Sequence, residues 1–409
     1  VADVAALIVR RLFFQRRQFL PFTIRMSKLK TKIIALAVLT GFAAGAQAQS
    51  SVTLYGVMDV ALSYQTHTNP SGDSTIGLQQ GNEGFLSGSR FGLKGDEALG
   101  DGWRAGFTLE NGFLANTGKL DQQGQLFGRQ AFVKLGRERW GDVALGRQYT
   151  TANTMLYYVD PLGVGAAPSN SWQVYLVGQR YDNAISYTGA WGPMQVIAEY
   201  AAGGIAGETR ARSSMSLGVK YASGPITLIG DAQQTNDTQS RRARIYLGGV
   251  KATIGNASLY ANYLHSNRDA GFDSSNGGTD TASITSMASG SPTAAVAINS
   301  VFSQRRSDDF FTLGASYRAT PSWLFTVAGM QDRTHADGFD GTRTTTYGVA
   351  DYSLSKRTDV YLATAYEWTS GGWSGLFGNT TTNASAAKGV TLNGRSEQLS
   401  VMLGLRHLF

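Results

Sequence analysis

Leu399-Ser400-Val401-Met402-Leu403-Gly404-Leu405-Arg406-His407-Leu408-Phe409, the last eleven residues, decide the fold. Leu399, Val401, Leu403, Leu405 and Phe409 share one parity, so an extended chain places them on one face. Ser400, Gly404 and Arg406 fall on the other. Termini of soluble proteins tend to fray. An amphipathic strand closing on Phe suits a transmembrane β-barrel, whose last strand pairs with its first and whose outer face meets lipid.

The same alternation recurs upstream. Val52, Leu54, Gly56, Met58, Val60, Leu62 and Tyr64 share one face, with Thr53, Tyr55, Asp59 and Ser63 on the other. Fifteen more such segments follow, at 86–96, 102–113, 126–136, 141–149, 180–189, 193–202, 213–222, 225–234, 243–252, 256–266, 308–318, 322–332, 344–353, 358–368 and 396–409. Each is about ten residues long, the length with which a tilted strand crosses the hydrocarbon core. Every second connection is tight, such as Glu97 to Asp101 or Ser223-Gly224-Pro225. The alternate ones are longer and polar: 65–85, 114–125, 150–179, 203–212, 235–242, 267–307, 333–343 and 369–395. A soluble sandwich does not demand that alternation, whereas short periplasmic turns opposite long external loops do. The sequence therefore predicts an all-β, 16-stranded antiparallel transmembrane barrel. Trp103, Phe113, Trp140, Tyr149, Trp191, Tyr200, Tyr221, Tyr263, Trp323, Tyr352 and Trp368 lie near strand ends, where amphipathic rings meet headgroups.

The front of the chain has a different character. Met26, then Lys28, Lys30 and Lys32, then the apolar run Ile33–Leu39 and Ala46-Gln47-Ala48 read as a signal peptide over 26–48. Residues 1–25 read as a non-native upstream extension, and 49–409 as the barrel. Residues 1–48 carry eight Lys/Arg and one acid, so the remainder has 36 − 8 = 28 basic and 29 − 1 = 28 acidic residues. The net charge of +7 thus belongs to the leader and gives no reason to expect nucleic-acid binding. Cys is absent, which removes disulfides and thiol chemistry. The four histidines, His67, His265, His335 and His407, have no recognisable Ser or Asp partner motif, so no catalytic residue is assigned. Asp332, Asp337 and Asp340 match no calcium-loop spacing, and neither metal nor cofactor is expected.

Several motifs, in order and at strand spacing, carry a resemblance. They are Ser51-Val52-Thr53-Leu54-Tyr55-Gly56, Ser89-Arg90-Phe91-Gly92-Leu93-Lys94-Gly95-Asp96-Glu97, and Gly128-Arg129-Gln130-Ala131-Phe132-Val133. Leu145-Gly146-Arg147-Gln148, Leu354-Ser355-Lys356-Arg357-Thr358-Asp359 and Gly404-Leu405-Arg406-His407-Leu408-Phe409 complete the set. Over 49–409 the sequence resembles general porins of the Gram-negative outer membrane, of the Neisseria, Bordetella and Burkholderia type. The resemblance implies a homotrimer of water-filled channels among outer-membrane lipid and lipopolysaccharide. It implies passive diffusion of small hydrophilic solutes and inorganic ions, and insertion by the barrel-assembly machinery. Leu405, His407 and Phe409 would form the C-terminal assembly signal, and the third external loop would fold inward and narrow the pore.

That loop is 150–179. Arg90 faces inward by parity. Arg129 has outward parity and needs a bulge or loop position to reach the lumen, and Arg180 opens the strand after the loop. In similar porins, arginines at these three motif positions form a basic ladder at the constriction. Lys94 and Arg104 also face inward, while Arg147 matches a family position with ambiguous parity. Glu110 and Asp160 are expected to oppose the bases, with the excess of base giving weak anion selectivity. A substrate-specific channel and, further off, a barrel enzyme are the competing readings.

Overall fold

A computed structural model describes residues 51–68, 72–79, 86–164, 176–273, 301, 303–374 and 396–409. The upstream extension over 1–25 and the signal peptide over 26–48 lie outside these residues. So does most of the long 267–307 connection.

The strands are β1 (Ser51–Gln65), β2 (Thr75–Gln79), β3 (Arg90–Gly100), β4 (Trp103–Gly112), β5 (Gln130–Arg137), β6 (Gly141–Tyr149), β7 (Arg180–Trp191), β8 (Met194–Ala201) and β9 (Ser214–Ser223). They continue as β10 (Ile226–Asn236), β11 (Arg242–Ile254), β12 (Ala257–Arg268), β13 (Arg306–Arg318), β14 (Trp323–Ala336), β15 (Phe339–Ser353), β16 (Thr358–Gly371) and β17 (Glu397–Leu408). An α-helix, α1 (Thr151–Val159), lies between β6 and β7. Each of the sixteen expected segments holds one strand. β2 is extra, a short strand within the first external connection.

All pairings are antiparallel, and β1 pairs with β17 from Val57↔Leu408 to Gln65↔Ser400, closing a 16-stranded barrel. Closure satisfies backbone groups that lipid cannot. The first strand needs three devices on its other side. Ser51–Val57 pair with β3, and Ala61–Gln65 pair with β2. Between them the Ser89 hydroxyl accepts from Asp59 N at 3.0 Å and donates to Asp59 O at 3.1 Å, standing in for a missing strand residue.

The alternation sorts the faces. Val52 is 65% exposed and Leu403 61%, facing lipid, while Asp59 and Ser400 are fully buried inside. Trp103, Trp140, Trp191, Tyr221 and Trp323 are exposed at the short-turn ends. Tyr200, Tyr263 and Trp368 are exposed at the loop ends. These are the two girdles.

One expected long loop is not a loop. β14 runs to Ala336 and β15 starts at Phe339, so 333–343 is a hairpin turning on Asp337-Gly338 alone. Gly338 has φ +67°, a conformation that costs glycine little. The Asp-Gly turn was in the sequence, but the polar residues around it read as loop because both faces of a strand standing above the membrane are hydrated.

Candidate functional site: the constriction

The third connection enters the barrel as α1. Thr150 caps it, accepting from Asn153 N at 3.1 Å and donating to Gly178 O at 2.9 Å. Helices expose unpaired N–H groups at their start, and this cap takes one of them. Met155, Leu156 and Val159 are fully buried against the wall. The wall is hollowed to receive them. A Cβ at Gly218 on β9 would meet Met155, at Gly249 on β11 it would meet Val159, and at Gly314 on β13 it would meet Pro161. Three inward glycines on alternate strands thus form the seat of the constriction segment. α1 touches β8 through β12, so among the described residues it leaves the β1 to β6 side of the lumen uncovered.

The basic ladder stands on that open side. Glu110, inward on β4, accepts from Arg129 Nε at 2.8 Å and from the Tyr55 hydroxyl at 2.9 Å. Arg90 Nε lies 3.7 Å from Oε2, the oxygen that accepts from Tyr55. Arg129 also donates to the Tyr149 hydroxyl at 2.6 Å, and Arg180 reaches the same oxygen at 3.2 Å. The Arg180 guanidinium lies over the Tyr149 ring, 4.7 Å from its centroid. Arg90, Glu110, Arg129, Tyr149 and Arg180 are therefore one continuous chain of contacts. The Arg90 side chain is 27% exposed and Arg129 9%, so Arg90 meets lumen water most directly. Arg180 is buried. Arg129 reaches the lumen from a loop position just before β5, as its parity required.

The other expected residues go elsewhere. Glu110 stands on the same wall as the arginines, between them, because β4 adjoins β3 and β5; it does not oppose them. Asp160 is buried, and its Oδ2 accepts from Leu162 N at 3.0 Å and Val164 N at 2.9 Å, turning the chain after α1. Its carboxylate shapes the loop. Lys94 lies on the inner wall with Nζ 5.4 Å from the Tyr55 ring centroid. Arg104 forms a two-pronged pair with Asp142, at 2.9 and 2.7 Å, near the short-turn end of the lumen. Arg147 pairs across the ladder with Ala131, in register with Val133↔Leu145 and Leu135↔Val143, so it belongs to the outer face. There it donates to Gly128 O at 2.7 Å and Asp182 at 2.6 Å. The regular register of β6 with β5 fixes the face that the sequence left open.

Sequence reasoning misses Tyr55 and Tyr149 as parts of the ladder. Tyr149 reads as a girdle ring because it ends a strand, yet its hydroxyl meets Arg129 and Arg180. The histidines stay apart. His67 bonds Glu397 O, His265 Asp309, His335 Asp340 and His407 the Thr358 hydroxyl. Among the described residues no group of three metal-ligating side chains occurs.

A closed barrel, apolar outside and polar within, narrowed by an inward segment facing a basic wall, defines a pore-forming protein of the outer membrane. Residues 35–372 match the family model described as Gram-negative porin. The chain belongs to that family. It is 32% identical over 259 residues to an outer membrane porin protein of Bordetella pertussis, covering 58% of this chain and 66% of the relative. It is 38% identical over 167 residues to outer membrane porin protein 32 of Delftia acidovorans, covering 39% of this chain and 45% of that one. The matched parts thus span under two thirds of these relatives' lengths. The structure is similar to an anion-selective porin from Comamonas acidovorans, with TM-score 0.68, 22% identity, and coverage of 88% of this chain and all of that one.

Proposed function

We propose that the protein is a passive, water-filled channel for small hydrophilic solutes and ions, with a weak preference for anions. The carrying observation is the ladder. Arg90, Arg129 and Arg180 set three positive charges against the single carboxylate of Glu110 on the open side of the constriction. A surplus of fixed positive charge beside a narrow aqueous gap raises the local anion concentration. Salt weakens it, since the Debye length is about 8 Å at physiological ionic strength. The Comamonas porin of similar fold, described as anion-selective, supports the same sign.

Reversal potentials across a planar bilayer in a KCl gradient test this. Chloride should permeate ahead of potassium, and the preference should shrink as total salt rises. Cation selectivity at low salt would defeat the reading. Homotrimeric assembly, insertion by the barrel-assembly machinery through Leu405, His407 and Phe409, and contact with lipopolysaccharide belong to the same proposal, as the family resemblance implies.

A further inference from the structure

Below the constriction the lumen wall holds positive charge that the arginine ladder does not include. Lys220 is the next inward residue after Gly218 on β9, and Lys251 the next after Gly249 on β11. Both therefore lie directly beneath the seat of α1, toward the short turns. Lys220 Nζ sits 3.9 Å from the ring centroid of Tyr158, and Lys251 Nζ 5.4 Å from that of Tyr260. The rings are anchored, Tyr158 by its hydroxyl to Gln195 at 3.2 Å and Tyr260 to the Ser316 hydroxyl at 3.3 Å.

Asp231 pairs in register with Gly218 and Glu199 with Ser216, so both are buried at or above the seat of α1. The lumen acids nearer the short turns are paired. Asp96 pairs with Lys134 at 2.9 Å and Asp142 with Arg104 at 2.7 Å. Asp351 and Asp359 share Arg406, at 3.7 and 3.0 Å. Among the described residues neither Lys220 nor Lys251 pairs with a carboxylate. Two strands and one inward step separate the two lysines, which places their backbones about 12 Å apart.

We propose that Lys220 and Lys251, with Tyr158 and Tyr260, form an anion subsite on the periplasmic side of the constriction, suited to aromatic carboxylates. The reading rests on the protein being an open channel. Each ammonium already lies on a ring face, where the ring's negative quadrupole attracts it. A carboxylate that meets the ammonium is brought alongside the same ring. An aromatic body then contacts the ring edge, which a small aliphatic anion cannot do. The subsite would hold aromatic acids briefly as they leave the constriction, and would do so without the arginines.

Single-channel chloride currents test the subsite, with benzoate or acetate added to each chamber in turn. In the wild type, benzoate should block at a concentration about three- to fivefold lower than acetate, the gain expected of one exposed ring contact. The block should be stronger from one side, because the lysines lie below the constriction. In K220Q/K251Q the two acids should become equivalent. Tyr260→Leu, which keeps both ammoniums, should lose part of the benzoate preference and retain acetate sensitivity. Equal block by both acids in the wild type, or an unchanged preference in K220Q/K251Q, would overturn the proposal. The wild-type chloride-to-potassium ratio, read in the same membranes, reports on the ladder. Its failure would refute the anion preference proposed above while the benzoate comparison still decides the subsite.

Discussion

Glu110 shows how much one side chain sets in a narrow pore. It holds Arg129 at 2.8 Å, lies 3.7 Å from Arg90 and accepts from Tyr55 at 2.9 Å. Its charge cancels one of three. Glu110→Gln keeps an oxygen acceptor for Arg129 and presents its amide N–H to the Tyr55 hydroxyl, which can turn to accept, but removes that cancellation. A unit charge about 8 Å from the ion path, in water, is worth roughly 0.5 kcal/mol for each ion, with opposite sign for chloride and potassium, so the chloride-to-potassium permeability ratio should rise about fivefold at low salt. Reversal potentials at low salt measure it; an unchanged or lower ratio would show that Glu110 lies outside the ion path. Arg90 and Glu110 were legible in the sequence because parity in a regular strand fixes the face. Tyr149 was not, since it is the last residue of β6, where alternation no longer predicts what a side chain meets. Arg147 and its outward pair with Asp182 could be placed only from the register.

At the scale of elements, strands were readable from alternation, whereas the constriction segment was placed at 150–179 only by the family resemblance and its helix was not readable. Alternation is imposed on each strand by lipid on one side and water on the other, so sixteen segments stand out. Thr151–Val159 lies inside the barrel, its apolar residues buried against wall side chains rather than lipid, and no periodic contrast with water advertises it. Nine residues are too few for a helix to be stable by propensity alone, so the seat must hold it. The partner signal was present as glycines within strands, which mark close approach of another segment. Gly248 and Gly249 separate the two kinds of strand glycine. A Cβ at Gly248 meets nothing and faces lipid, while one at Gly249 runs into Val159. Gly248→Leu should therefore leave single-channel conductance unchanged. Gly249→Leu should push α1 off the wall and change conductance, with the barrel still folded by its heat-modifiable mobility on gels. Identical conductance in both variants would mean that α1 is not held by this seat.

The whole molecule depends on one seam. An open sheet would leave a row of backbone groups unpaired in hydrocarbon, each costing several kcal/mol, so a barrel is stable only when closed. β17 meets β1 along nine residue pairs, and Phe409 extends the ladder by one, exchanging bonds with Gly56 at 3.0 and 3.1 Å. The Phe409 ring covers Gly56 on the lipid face, where a Cβ would collide with it. The two positions are thus complementary: glycine at one end of the chain makes room for an aromatic ring at the other. Gly56→Leu should displace that ring and strain the seam, at about 1–3 kcal/mol for an overpacked contact. Since the seam is the last contact available to the first strand, its loss should reduce the yield of folded barrel rather than alter the pore. The check is the fraction of heat-modifiable protein after refolding into detergent, with Gly248→Leu as the outward-facing control. Phe409→Ala paired with Gly56→Leu should recover part of the loss, because the ring that the leucine meets is gone. If Gly56→Leu folds as well as the control, ring and glycine are not coupled, and closure rests on the hydrogen-bonded ladder alone.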